Sequence, residues 1–270
     1  MSPRLSRSVA DNAIAVIGCG GTGVMTILQL AHVGFRRIIA CDPDKLDATN
    51  LNRYPIALPS DIGRRKVDLV REFLRSRRPD CELVPIAAAF PSESILCRLR
   101  DVAAVISCVD SIPPRIKLDI AARSMGKHLF DIGVGFRVRD EDGLVDAAGG
   151  QVLVSRPGGA CLSCLGFRGN LSEHNYFLPS SSVPEPSSFL LNCMAATLAC
   201  ECLLADIDGS LRINRLAYDR GAFRTSGELL PPCSSCSVCG LEAASPLARV
   251  GDSAFLVREL ERLGIQCKTL

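Results

Sequence analysis

The chain has 270 residues, 47% of them hydrophobic, which is enough for one large α/β domain or two small ones with a sizeable core. Its 31 basic and 29 acidic residues leave a net charge of +2, without the electrostatic footprint of a nucleic-acid-binding surface. Residues Met1 to Asp11 hold no charged leader followed by an apolar run, and no uninterrupted apolar stretch reaches ~18 residues. Neither secretion nor membrane spanning is therefore expected, and the cytoplasm is the default.

Met1 to Asn12 carries Arg4 and Arg7 without apolar periodicity and reads as a polar arm. The apolar run Ile14 to Ile17 then leads into Gly18-Cys-Gly20-Gly21-Thr-Gly23. A helix follows through Met25, Leu28, Leu30 and Val33 to a C-capping Gly34, and a second apolar run, Ile38 to Cys41, ends on Asp42. Strand, glycine turn, helix, strand and acid together point to a nucleotide. The glycines allow close backbone approach to a phosphate chain, the helix N-terminus offers free N–H groups, and the acid can hold a ribose hydroxyl. Gly18, Gly20, Gly21, Gly23, Asp42 and Asp44 are the candidate cofactor contacts here, and Asp42 would serve NAD or ATP equally.

Asp42 to Pro59 reads as irregular, with a polar Asn50-Leu-Asn52-Arg53-Tyr54-Pro55 segment that invites a functional explanation. Ile62 to Ser76 has helical spacing, which puts Lys66 in a first helical turn, and the basic run Arg64 to Arg78 is broken by Asp68 and Glu72 as on a solvated face. Asn50, Arg53 and Lys66 add two cations near the glycine turn, which suits a triphosphate better than a dinucleotide. Leu83 to Ile86 reads as a strand and Ile95 to Leu99 as a short helix. Val102 to Val109 is a doubly buried strand whose tip, Asp110, offers a hard oxygen ligand for Mg²⁺ or a helix cap.

Pro114 to Met125 reads as a helix and His128 to Phe136 as a strand. A β run, Gln151 to Val154, precedes Cys161-Leu-Ser-Cys164, and the serine- and proline-rich Gly166 to Ser188 reads as a mobile loop. Phe189 to Ala205 is an apolar helix, Leu216 to Asp219 and Ala222 to Thr225 are short strands, and the tail has a helix at Ser253 to Leu263 and a strand at Ile265 to Thr269. Most of the fourteen cysteines, such as Cys19, Cys108 and Cys202, sit singly in apolar runs as small hydrophobes. Only Cys161/Cys164 and Cys233/Cys236/Cys239 have ligand-like spacing, open to a metal or to a redox dithiol.

The succession GCGGTG, CDPDKLDATNLNR, DIGRRK, then SCVD with Arg115 five residues on, and two Cys-x-x-Cys pairs resembles the ThiF/MoeB/HesA family, relatives of the ubiquitin-activating enzymes. The resemblance runs from about Ala13 to Gly240. It implies an α/β domain over residues 1–240, with a Rossmann-like half of parallel strands continued in the same sheet by an antiparallel, zinc-stapled half, and a C-terminal extension over 241–270. It implies ATP-dependent adenylation of a C-terminal carboxylate on a small ubiquitin-like or sulfur-carrier protein or a ribosomal peptide, by a homodimer. Matching positions would put Gly18, Gly20 and Gly23 under the phosphates, Asp42 on the ribose, Asn50, Arg53 and Lys66 on the phosphates and Asp110 on Mg²⁺. Arg53, Lys66 and Asp110 would be catalytic. The family's terminal Cys-x-x-Cys-Gly favours Cys236 and Cys239, with Cys161 and Cys164, as ligands of a structural Zn²⁺. Arg4 or Arg7 would stand in for an arginine finger given to a partner subunit. No thioester cysteine lies in Gly166 to Ser188, Cys193 reads as core and His174 as solvent-exposed. Ser111 and Asp119 replace asparagines on what the resemblance makes the metal side of the site. A nucleotide-binding scaffold without catalysis, or an NAD-dependent oxidoreductase, are the alternatives.

Overall fold

The computed structural model describes residues 2–138, 145–166, 188–236 and 238–239. Strands β1 (Ala13–Ile17), β2 (Arg37–Cys41), β3 (Glu82–Ile86), β4 (Ala104–Ser107), β5 (His128–Val138), β6 (Val145–Ser155), β7 (Arg215–Asp219) and β8 (Arg224–Glu228) form one eight-stranded sheet, in the order β3-β2-β1-β4-β5-β6-β7-β8. The first five pair in parallel and the last three join antiparallel. The expected two-part sheet is what forms, and the site lies where the order reverses from β1 to β4, past the carboxyl ends of the strands.

One face is covered by α1 (Pro3–Asp11), α2 (Gly21–Val33), α3 (Lys66–Arg77) and α7 (Phe189–Ile207). The other carries α4 (Glu93–Leu99), α5 (Ile112–Ser124) and the single turn α6 (Leu162–Leu165). Ile14, Val16, Ile38 and Ile106 point to the first layer, and Ala15, Ile17, Ile39 and Val105 to the second. That two-sided burial is why these strands are continuous apolar runs rather than alternating ones.

Four expectations need correction. The N-terminal arm is a helix, started by the Ser2 hydroxyl accepting from the Leu5 N–H (3.3 Å) and by Pro3, and anchored by a fully buried Val9. Its apolar pair Leu5/Val9 is too short a pattern to stand out. The segment after Asp42 contains a 3₁₀ turn, Ala48–Arg53, begun by the Asp47 carboxylate on the Thr49 N–H (2.8 Å). β6 starts six residues before Gln151, through an alanine- and glycine-rich stretch of low strand propensity. β8 starts at Arg224 because the preceding residues turn, with Phe223 at φ 47. The loop 167–187 with His174, and the tail with its expected helix and strand, lie outside the described residues.

α7 has the length and hydropathy of a membrane span, with a mean of 1.6 over 18 residues. It nevertheless packs on α2, β5 and β6, so close to the sheet that a Cβ on Gly150 would lie 3.2 Å from that of Ala195. Along α5, Arg115, Asp119 and Arg123 recur every four residues on the buried face, each bonded to a different neighbour.

Candidate functional site

The glycine turn is built by exclusion of side chains. Gly18 has φ +97, and a Cβ there would lie 2.6 Å from the Cys108 carbonyl. At Gly23 a Cβ would meet the Gly18 carbonyl at 1.9 Å, so this glycine lets α2 close onto the turn from behind and does not line the cavity, contrary to its expected place under phosphates. Gly21 leaves room for Arg53 and Asn192, and Gly20 opens onto empty space. No side chain caps α2, so its first N–H groups face a cavity of about 710 Å³.

That cavity is lined by Gly18, Gly20, Gly21, Asp42, Asp44, Asn50, Arg53, Lys66 and Asp110 together. Asp42, 5% exposed, accepts from the Cys19 N–H (2.6 Å) and the Asp44 N–H (2.8 Å) and so ties the glycine turn to β2. Burial pushes its carboxyl above the usual range, while those two donors and the Lys66 charge pull it back. Lys66 opens α3, as expected, and its buried stem carries Nζ to Asp44 Oδ2 at 2.9 Å. The backbone clips 42–46 to 63–66, with Lys66 N–H on the Asp44 carbonyl (3.1 Å) and Leu46 N–H on that of Arg64 (2.8 Å). Arg53 is held by the Thr49 carbonyl (2.7 Å) and Asn52 Oδ1 (3.1 Å), and among the described residues it pairs with no carboxylate. Asp110 is exposed beyond β4, and Ser111 occupies the N-cap of α5 without a side-chain cap bond.

Four further residues reach the cavity, of which Asn192 and Phe90 escape a reading of the sequence. Asn192, 2% exposed on α7, accepts from the Thr22 hydroxyl (3.1 Å) beside the glycine turn. Its signal is a lone amide in an apolar helix. Phe90 and Tyr54 supply aromatic walls. Arg115 reaches the cavity while bonded to Asp131, which no pattern in its strand announces. Asp119, expected on the metal side of the site, is fully buried elsewhere and accepts the Leu162 N–H (2.8 Å) under Cys161-x-x-Cys164. Burial pushes its carboxyl up to about 6, against the Ser155 hydroxyl and the Leu162 N–H.

Cys161, Cys164, Cys236 and Cys239 bring their sulfurs within 4.8 Å of one another. Separations of 3.6 Å (Cys161–Cys236), 3.4 Å (Cys164–Cys239) and 3.8 Å (Cys161–Cys164) approach the ~3.8 Å edge of a tetrahedron with metal–sulfur bonds of ~2.3 Å. The donor set fits Zn²⁺. Cys233 stands outside it and gives its N–H to Cys164 Sγ (3.4 Å), as second-sphere donors to ligating sulfur do. Cys193 on α7 is partly buried.

The SAMP-activating enzyme E1 of Haloferax volcanii is 25% identical over 275 residues, covering 94% of this chain and 91% of the relative. The tRNA threonylcarbamoyladenosine dehydratase of Bacillus subtilis is 34% identical over 87 residues, so this chain spans only 34% of that relative's length and 32% of its own. Among solved structures, E. coli MccB with ATP superposes with a TM-score of 0.68 at 20% identity, over 87% of this chain and 69% of that one, a likeness of fold. A profile of the ThiF family matches residues 3–236, from the N-terminal helix to the third sulfur of the cysteine cluster, and the chain belongs to that family.

Proposed function

We propose that the protein adenylates the C-terminal carboxylate of a small ubiquitin-like or sulfur-carrier protein, or of a ribosomal peptide, with ATP. The observation that carries this reading is the meeting of Arg53 and Lys66 with the uncapped N-terminus of α2 and with Asp110 in one cavity of substrate size. A relative aligned along most of its length is named an activating enzyme E1, and a fold neighbour is known with ATP.

In this reading Asp42 accepts from the ribose hydroxyls with the lone pairs that Cys19 and Asp44 leave free. The α2 N–H groups, Arg53, Lys66 and Asn50 hold the phosphates. The substrate carboxylate attacks the α-phosphorus, the bond to the bridging oxygen of the β-phosphate breaks, and pyrophosphate leaves with the electron pair. Arg53 and Lys66 neutralise the charge growing on the α-phosphoryl and leaving groups, and catalysis is by position and charge with no protein nucleophile. Mg²⁺ supplies further phosphate neutralisation when bound, and Asp110 is the hard ligand this chain offers it. Zn²⁺ on the four thiolates is structural, with no open position.

The exposed Phe189, Leu190 and Met194 on α7 support a homodimer. ATP:pyrophosphate exchange on purified protein, with and without candidate carrier proteins and peptides, tests the reaction. Exchange that depends on one added partner supports it. ATP binding without exchange for any partner returns the reading to a scaffold, and binding of NAD in preference to ATP returns it to an oxidoreductase.

A further inference from the structure

β5 carries an acid that its surroundings do not explain. Asp131 lies between Phe130 and Ile132 at 0% exposure, opposite Ser107 of β4, whose hydroxyl faces the carboxylate without a well-formed hydrogen bond to Oδ1. Oδ2 accepts from one terminal nitrogen of Arg115 at 3.1 Å. Arg115, 5% exposed, donates its Nε–H to the Val109 carbonyl at 2.8 Å, and Val109 is the residue before Asp110. Gly133, two residues along the same strand, packs under Gln151 and the guanidinium, at 3.3 Å and 3.5 Å from where a Cβ would stand. A buried ion pair with one oxygen unsatisfied is a poor means of stabilising a sheet, because desolvation offsets the attraction and an apolar pair would serve as well. What the pair does fix is the direction of a planar guanidinium, and through it one carbonyl.

We infer that Asp131 is a positioning residue that acts through Arg115 and the Val109 carbonyl to hold Asp110 at the rim of the cavity. The inference rests on the reading of Asp110 as the Mg²⁺ ligand for ATP. A neutral residue at 131 leaves the guanidinium without the partner that fixes its plane, and so releases the carbonyl that aims Asp110.

The test is titration calorimetry of the full chain with Mg·ATP, in a double-mutant cycle. Asp131→Asn is expected to raise Kd by about tenfold, and to change it less than about twofold when Asp110 is already alanine. Asp131→Ser, smaller and equally neutral, is measured beside it with the same expectation. Wild-type Kd in either variant overturns the inference, as does an equal loss in both backgrounds, the result a merely structural residue would give. Failure of both variants to fold also assigns Asp131 to stability alone. The two readings fail differently. If the wild-type protein binds ATP equally in EDTA and in Mg²⁺, the role of Asp110 falls and this inference with it. If Mg²⁺ strengthens wild-type binding and Asp131→Asn leaves that gain intact, only the inference falls.

Discussion

β1 and β8 are each five residues long and belong to the same sheet, yet every residue of β1 is buried and every residue of β8 exposed. β1 lies between two parallel partners with helices on both faces, and each fully buried isoleucine or valine there contributes roughly 1.5–3 kcal/mol. Among the described residues β8 is an edge strand, paired only with β7. Two kinds of cohesion therefore share one sheet. The parallel half is held by burial, while the segment that follows the last strands closes, through Cys236 and Cys239, on a four-cysteine cluster with Cys161 and Cys164.

If that division is right, the largest effect comes from the cluster. Cys164→Ser is expected to remove the metal, read by elemental analysis, and to cost about 5 kcal/mol or more of stability. Hydrogen exchange should rise in β7 and β8 before β1, and uniform loss across the sheet would break the comparison. In the other half, Asp110→Ala should lower Mg²⁺-dependent pyrophosphate exchange by about a thousandfold at an unchanged Tm. Gly23→Ala sharpens the contrast, because its methyl has nowhere to go. A loss of about 3 kcal/mol, with weakened ATP binding and full metal content, is expected.

The smallest effect lies at the junction. Asp119 holds its proton more tightly folded than unfolded, so its ionisation favours unfolding. Stability from this group is full below pH 4 and falls as the pH rises to about 6, where it levels. Asp119→Asn keeps an acceptor for the Leu162 N–H and removes that slope. On metal-loaded protein, its denaturation curves should gain on the wild type by on the order of 2 kcal/mol between pH 4 and pH 7. Parallel pH profiles would contradict it.

The parallel strands and the glycine turn were legible because a doubly covered strand leaves a short apolar run bounded by turn residues, here Gly18 after β1 and Asp42 after β2. Spacing narrowed the cysteine set to five, and the family's terminal Cys-x-x-Cys-Gly chose Cys236 and Cys239 over Cys233. α1 was not, since two apolar residues make no detectable period. Asn192 was hidden because its partner is 170 positions away, and a polar residue inside an apolar helix has no meaning until the chain has folded. Asp119 was misplaced because its position along the helix was known but its direction was not. Asp131 has no role until the fold brings Arg115 to it from sixteen positions away.

The polar stripe along α5 has a mechanical consequence. Arg115 is pinned to β5, Asp119 to the turn bearing Cys161 and Cys164, and Arg123 to Ser155 Oγ (3.1 Å) and the Arg156 carbonyl (2.5 Å). Three fastenings about 6 Å apart on one rod leave it no freedom to roll, since a slip of one residue turns all of them by about 100° at once. α5 is a gauge bar between the cavity and the thiolates. Pull on the cysteine end, and the arginine end must travel with it.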